Sequence, residues 1–412
     1  MAQDPFASLK LRDFRFFISA RLLMTIASEM QVVVVGWQIY EYTRDPLWLG
    51  MIGLTGAIPF IGTALFAGHV ADIIERKKIV VNAALVLCLC TGFLWAFTFN
   101  KGAFLHTYGV WPIYTVVFFA GIAKAFIAPS FFAFLSQIVP REQYSNASTW
   151  SSTAWQIGAI GGPAVGGLLY GLIGVNLTYG VDLALMVLSL ITISFIAARP
   201  LVKRVREENL WQSLGKGISF VFKNQEILGA LSLDLFAVFF GGAAALLPIF
   251  ADQVLKIGPM GLGFLRSAPS VGAVIMGAIM VYWPPMQNAG KKMLFSVAAF
   301  GVCMILFALS TNPWLSLILL ALSGAFDSVS VVIRSTILQL MTPDEMRGRV
   351  SAVNNIFIGS SNEIGGFESG VAAKLMGLIP SVVFGGSVTM LVTGFTAIKA
   401  KKLRRLQLDT KV

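Results

Sequence analysis

Long apolar runs separated by short polar connections make up most of the chain. Because an α-helix rises about 1.5 Å per residue, about 20 consecutive apolar residues are needed to cross the hydrocarbon core of a bilayer. The pattern contains twelve such runs and therefore predicts an all-α membrane protein with twelve transmembrane helices. The predicted spans are residues 14–40, 48–70, 79–99, 110–137, 147–171, 175–197, 226–250, 260–283, 292–311, 314–340, 349–375 and 379–399.

Basic residues concentrate in alternate connections and in both tails. The connection after the second span carries Arg76, Lys77 and Lys78, whereas the intervening connections hold scattered residues such as Arg44 and Lys101. Cytoplasmic loops of membrane proteins carry an excess of Lys and Arg. The charge pattern therefore predicts that both termini are cytoplasmic, which agrees with an even number of spans.

The longest polar connection follows the sixth span and divides the chain. We predict an N-terminal six-helix bundle at 1–200, a cytoplasmic linker at 201–225 and a C-terminal six-helix bundle at 226–412. Apolar residues in the linker recur at three- and four-residue spacing, which favours an amphipathic helix at the membrane interface. A plain polar tether is the alternative.

The two halves of the chain resemble each other. A shift of 203 residues aligns Pro140 with Pro343 and Glu142 with Glu345, in the turns after the fourth and tenth spans. Together with the division into six plus six spans, this predicts two pseudo-symmetric bundles related as a parallel repeat.

Composition excludes several other classes of protein. The chain is 56% hydrophobic and 12% charged, too apolar for a globule surrounded by water. Its net charge of +11 lies in loops and tails, which argues against nucleic-acid binding. With three cysteines in apolar runs and two histidines, we expect no metal site, disulfide or cofactor.

The connection after the second span contains Gly68-His69-Val70-Ala71-Asp72-Ile73-Ile74-Glu75-Arg76-Lys77-Lys78. It resembles the loop signature of the major facilitator superfamily, although Ile73 and Glu75 replace a usual basic residue and a usual glycine. The resemblance implies a cytoplasmic gate at Gly68, Asp72, Arg76 and Lys77, and we place Asp234 and Arg347 in the same group. A merely topogenic basic loop is the alternative.

The fifth span contains small residues and a proline at 158–167. This segment resembles the glycine–proline motif of the superfamily's antiporters, through Gly158, Gly162, Pro163, Gly166 and Gly167. Together with PSFFAFLSQIVPREQYSNAS and TPDEMRGRVSAVNNIFIGSSNEIGGFESG, the motif resembles the branch of enterobactin exporters and macrolide efflux proteins. That resemblance implies export of a siderophore or drug-like amphiphile in exchange for protons. Val117 occupies the place of the superfamily's usual arginine in the fourth span, so the resemblance implies no proton-coupling role for that position.

Charged residues inside the spans are candidates for function, because each is costly in lipid unless it faces a cavity or a partner. Arg21 and Glu29 lie eight residues apart, on one face of the first span. We expect Glu29 to lose its proton when substrate enters, with Asp327 or Glu363 as second candidates. Structural ion pairs between helices are the alternative. The proton-coupling and substrate-cavity candidates are Glu29, Arg21, Lys124, Asp327, Arg334, Glu363 and Asn355.

No phosphate-binding loop of the form G-x-x-x-x-G-K-[ST] occurs, so transport must draw on an ion gradient. We expect a monomeric secondary transporter in the bacterial inner membrane, not an enzyme, whose partners are a small-molecule substrate, protons and lipid. An uptake carrier or facilitator for a nutrient or metal chelate is the alternative. A membrane enzyme is a remote one, because no catalytic constellation is evident.

Overall fold

A computed structural model of the chain describes residues 4–198 and 210–408. The described part folds into helices joined by short connections. They are α1 (Arg12–Thr43), α2 (Pro46–Ile73), α3 (Arg76–Ala96), α4 (Phe99–Tyr108), α5 (Trp111–Ile138), α6 (Tyr144–Ser194), α7 (Leu210–Lys223), α8 (Gln225–Gly241), α9 (Leu247–Ile249), α10 (Gly258–Tyr282), α11 (Ala289–Leu309), α12 (Pro313–Met341), α13 (Arg347–Met376), α14 (Leu378–Lys399) and α15 (Lys401–Arg404).

Within the described residues, ten helical segments are long and apolar enough to cross a membrane. One of them, Arg141–Ser194, is 54 residues long and is interrupted at Gly174, where φ is 76°, so it has the length of two spans. α13 also has the length of a span, at 30 residues, but polar residues such as Asn355 and Glu363 make it less apolar. With α6 counted as two spans and α13 included, the helices agree with the twelve predicted spans.

Sequence signals set several helix boundaries. The side chain of Asn224 accepts hydrogen bonds from the backbone N–H groups of Glu226 and Ile227, both at 3.2 Å, and so caps α8. Asn312 caps α12 in the same way, and Pro313 occupies the first helical position, where its missing N–H is not needed. These caps satisfy donors that a helix leaves unpaired at its beginning.

The predicted repeat is visible in local structure. A 3₁₀ turn at Arg141–Gln143 leads into α6, and the corresponding turn at Asp344–Met346 leads into α13. The two turns are separated by the same 203 residues that align the sequences of the halves.

The chain forms two compact units. The first comprises residues 1–44, 55–205 and 258–267, and in it α1 packs along α6 while α3 packs against α5 and α6. The second comprises residues 45–54, 206–257 and 268–412, and in it α11 packs against α12 and α14. The predicted domain boundary at 200–201 lies outside the described residues.

The linker contains a helix, α7, within the range predicted for it. Val221 on α7 is fully buried in a cluster with Ile227, Leu231 and Val350 of the second unit. Gly217 lies against the backbone of Arg349 on α13. α7 is therefore docked onto the second unit by one apolar side, which a plain tether would not be.

Small residues bring α10 and α12 into backbone contact. A Cβ atom added at Gly272 would overlap the carbonyl oxygen of Ala321, and one added at Gly324 would overlap that of Pro269. Gly277 lies on α10 as well, but nothing lies within 4 Å of the position its Cβ would take. Helices in lipid rely on such close packing, because the hydrophobic effect does not hold them together there.

We expect Gly272→Ala to lower the free energy of unfolding by about 1–3 kcal/mol, because the added methyl group forces α10 and α12 apart. Thermal unfolding of the detergent-solubilised protein measures the effect. Gly277→Ala is the matched control and leaves the melting temperature unchanged within experimental error. Equal effects of the two substitutions would show that α10 and α12 do not pack in this way.

Candidate functional site

A polar stripe runs along α1, which is otherwise mostly apolar. Arg21, Thr25, Ser28 and Glu29 recur at three- and four-residue spacing and so lie on one side of the helix. All four side chains border the same cavity in the first unit. The sequence placed Arg21 and Glu29 on one inward face, and the structure brings both to this cavity.

The cavity has a volume of about 540 Å³, within the range of small-molecule sites. α5 contributes Lys124 together with the aromatic side chains of Phe131 and Phe132. The first turns of α6 add hydroxyl groups and an indole, from Ser148, Ser151, Ser152 and Trp155. The lining therefore combines charged, hydroxyl and aromatic groups, a combination that suits an amphiphilic solute.

The three charged groups of the cavity, Arg21, Glu29 and Lys124, form no ion pair with one another or with other groups in the part of the chain that the structure describes. The Nε of Arg21 is buried without an acceptor, and its guanidinium lies 5.7 Å from the ring centre of Phe131. Charges held at membrane depth without a partner are costly, which marks the cavity as a place for water, ions or solute.

The glycine–proline motif forms the groove in which α1 lies. Gly158, Gly162 and Gly166 recur at four-residue spacing along α6 and face α1. A Cβ atom at Gly162 would lie 2.7 Å from the Cβ of Glu29 and 2.7 Å from the carbonyl oxygen of Ile26. The motif therefore sets how closely α6 approaches the backbone that carries Glu29.

The last part of the motif faces a different neighbour. Gly167 lies against Pro259 and Gly263 at the beginning of α10, and the carbonyl oxygen of Pro163 faces Gly263. The hydroxyl of Ser267 donates a 2.7 Å hydrogen bond to the carbonyl oxygen of Ile160. These contacts lie within the first unit and leave no room for a larger side chain at Gly167 or Gly263.

A second polar group lies behind the wall of the cavity. Asp182, in the second half of α6, is fully buried. Its Oδ2 accepts a 3.3 Å hydrogen bond from the amide of Gln31, which also donates at 3.0 Å to the hydroxyl of Thr91. The Oδ1 of Asp182 has no donor among the described residues. The pairing of Asp182 with Gln31 depends on how α1 and α6 are rotated, so no spacing within a single helix predicts it.

In the second unit, Asp234 of α8 forms an ion pair with Arg334 of α12. The two residues are only 7% and 4% exposed. The sequence predicts different groups for them, the gate for Asp234 and the cavity for Arg334. The structure places them together, in the arrangement expected of a structural ion pair between helices.

The other candidates of the second unit lie apart from this pair. Asp327 is half-buried on α12, and Glu363 and Asn355 are exposed on α13. The backbone of Glu363 lies close to Gly53 of α2. None of these residues belongs to the described lining of the 540 Å³ cavity.

The basic gate candidates bind helix ends. The guanidinium of Arg76 donates to the carbonyl oxygen of Ala133 at 3.0 Å, and the ammonium of Lys77 donates to that of Ser194 at 2.9 Å. Cations are favoured near the C-terminal ends of helices, where the negative end of the helix dipole lies. The surroundings of Gly68 and the side chain of Asp72 lie outside what the structure describes.

Arg347, the remaining gate candidate, lies at the beginning of α13. Its guanidinium donates a 3.4 Å hydrogen bond to the carbonyl oxygen of Gln339. The residue borders a smaller cavity of about 220 Å³ between α12 and α13, with Thr342 and Asn354.

Comparison with known proteins decides the family. The sequence profile that describes transmembrane secretion effectors matches residues 3–411. The chain belongs to this family of the major facilitator superfamily. It is therefore a multi-pass membrane transporter.

Curated relatives of this transporter include enterobactin exporters named EntS. The protein of Escherichia coli O1:K1 is 25% identical over 402 residues, covering 96% of this chain and 93% of the relative. The protein of Shigella dysenteriae serotype 1 is 26% identical over 348 residues, covering 82% and 80%.

Solved structures share the fold of the transporter. A bacterial homologue of the iron transporter ferroportin, in an inward-facing state, superposes with a TM-score of 0.74 at 15% identity, over 95% of this chain and 98% of the other. A POT family transporter in complex with 5-aminolevulinic acid gives 0.76 at 10% identity, over 95% and 97%. The predicted fold is thereby confirmed as that of the major facilitator superfamily.

We expect Asp234→Asn to lower the free energy of unfolding by about 3–5 kcal/mol, because it leaves the buried guanidinium of Arg334 without a counter-charge. The double variant Asp234→Leu/Arg334→Met regains most of that stability. Thermal unfolding in detergent measures both. The control is Glu75→Gln, which removes the 3.1 Å surface pair with Lys78 and costs less than about 1 kcal/mol. A double variant as unstable as the single one would contradict this role of the pair.

Proposed function

We propose that the transporter exports a siderophore or another amphiphilic, drug-like small molecule in exchange for protons. The observation that carries the proposal is the cavity of the first unit, where Arg21, Glu29 and Lys124 form no ion pair with any described residue. A solute with polar groups and an apolar body matches a lining that combines these charges with the aromatic side chains of α5 and α6.

The direction of transport is inferred from the relatives. Proteins named enterobactin exporter align with the chain over most of its length. The glycine–proline groove of α6 also resembles that of antiporters, and the sequence contains no phosphate-binding loop for an ATP-driven step. Export driven by an inward proton gradient is the function that agrees with all three observations.

Glu29 is the carboxylate on which proton and solute act in this proposal. A proton neutralises Glu29 and removes its attraction for a cationic or hydrogen-bonding group of the solute, so that proton and solute exclude each other at this position. Such exclusion makes each weaken the affinity for the other by the same factor, which is the linkage that exchange requires.

Alternating access completes the proposal. The cavity opens to one side of the membrane at a time, and Gly68, Asp72, Arg76, Lys77 and Arg347 act at the cytoplasmic gate. The transporter acts as a monomer in the lipid of the bacterial inner membrane. Both termini lie in the cytoplasm in this proposal, because the basic connections and tails favour that side.

Proteoliposomes test the function. Purified transporter is reconstituted and the flux of enterobactin, erythromycin and the cationic dye rhodamine 6G is followed with and without a pH gradient. In vesicles with the cytoplasmic face outward and an acidic lumen, at least one probe accumulates in the lumen while protons leave it. Dissipating the pH gradient abolishes this accumulation. Flux in the opposite direction would indicate an uptake carrier, and no gradient-driven flux of any probe would overturn the proposal.

We expect Glu29→Gln to lower gradient-driven flux at least about tenfold, because the amide cannot exchange a proton. Counterflow of the same probe without a gradient is retained. Glu41→Gln is the matched control on the same helix. Glu41 binds the indole of Trp37 at 2.7 Å and the hydroxyl of Tyr170 at 2.5 Å, away from the cavity. Gradient-driven flux that survives Glu29→Gln but not Asp327→Asn would move the coupling role to α12.

A further inference from the structure

Asp182 and Asp234 are both buried, but the groups that they contact differ. Asp234 has the guanidinium of Arg334 in contact, whereas Asp182 has only the amide of Gln31, at 3.3 Å. Asp182 is 0% exposed, and its Oδ1 has no donor among the described residues. An ionised carboxylate so placed is costly, so the neutral acid is the form that fits this arrangement.

Among the described residues, the titratable and charged groups that interact with Asp182 are Cys88 of α3, Lys124 of α5 and Tyr179 of α6 itself. Lys124 is the one cation in this set. α1 contributes the neutral side chain of Gln31. Lys124 is therefore the group whose charge can compensate a negative Asp182.

Lys124 also borders the cavity, where its side chain is exposed. Leu87 lines the cavity one turn before Thr91, and Val32 lines it directly after Gln31, so the residues that hold Asp182 are neighbours of those that face the solute. Lys124 thus borders the cavity and also interacts with Asp182.

We propose that Asp182 is a second proton-binding group of the transport cycle, linked to the cavity through Lys124. With a proton on Asp182, the ammonium of Lys124 stays in the cavity and competes with the solute for Glu29. When the solute occupies Glu29, Lys124 turns toward Asp182, and the proton of Asp182 leaves to cavity water. The carboxylate and the ammonium then form a pair, and the proton is taken up again from water when the solute departs.

This inference rests on the proposed function and adds a residue to it. Protonation of Asp182 and binding of solute exclude each other, which is the relation an antiporter needs. Asp182 has no contact with the solute in this scheme. It is a positioning residue that acts through Lys124, and its test therefore needs a readout that a purely structural role would not change.

Proton release on binding provides that readout. The full-length transporter in weakly buffered detergent solution is saturated with whichever of enterobactin, erythromycin and rhodamine 6G it transports, and released protons are measured with a pH-indicating dye. We expect Asp182→Asn to reduce the number of protons released per bound probe by about one. The dissociation constant of this variant then depends less steeply on pH than that of the unmodified transporter.

Two further variants complete the experiment. Lys124→Met removes the link while Asp182 stays in place, and we expect the same loss of proton release. Glu41→Gln serves as the control and releases as many protons as the unmodified transporter. If Asp182→Asn does not fold, which its melting temperature reveals, the measurement on Lys124→Met decides the matter alone.

The outcomes separate the two proposals. Undiminished proton release in Asp182→Asn, or in Lys124→Met where the first variant does not fold, overturns the role of Asp182 while proton exchange itself stands. No proton release from the unmodified transporter overturns proton exchange and the role of Asp182 together.

Discussion

The close packing of α6 against α1 is the contact on which the rest of the site depends. Gly158, Gly162 and Gly166 leave α6 without side chains on the side that faces α1, so the two backbones approach until Gly162 touches the Cβ of Glu29. The side chain of Glu29 borders the cavity, which residues of α5 and the beginning of α6 also line. A packing motif thereby fixes the position of a charge.

That position is useful because the surroundings do not neutralise it. A charged side chain in lipid is normally paired or directed into water, and a permanent pair would hold Glu29 in one state. In the described structure Arg21 and Lys124 share the cavity with Glu29 without bonding to it. Opposite charges that lie close without being locked together can change partners when solute or a proton arrives, and this exchange is the chemistry a coupled transporter requires.

Sequence patterns predicted the features that depend on one helix at a time. Helix length and apolar runs gave the spans, and the eight-residue spacing of Arg21 and Glu29 placed both on one face of α1. Contacts between helices could not be predicted from these patterns. The pair of Asp234 and Arg334 depends on the rotation of α8 against α12, and no periodicity within either helix encodes it. The serines at the beginning of α6 likewise gave no signal, because short polar stretches near turns are common.

Burial of an ionised carboxylate is unfavourable, and Asp234 and Asp182 differ in the groups that compensate it. Asp234 is in contact with the guanidinium of Arg334, which is itself buried, so its charge has a fixed counter-charge. Asp182 accepts a hydrogen bond from the amide of Gln31. The cation that interacts with Asp182 is Lys124, whose side chain is exposed in the cavity. A compensating charge that can move away makes the protonation of a carboxylate depend on what occupies the cavity. A fixed charge cannot do so, and for this reason coupling is better sought around Asp182 than around Asp234.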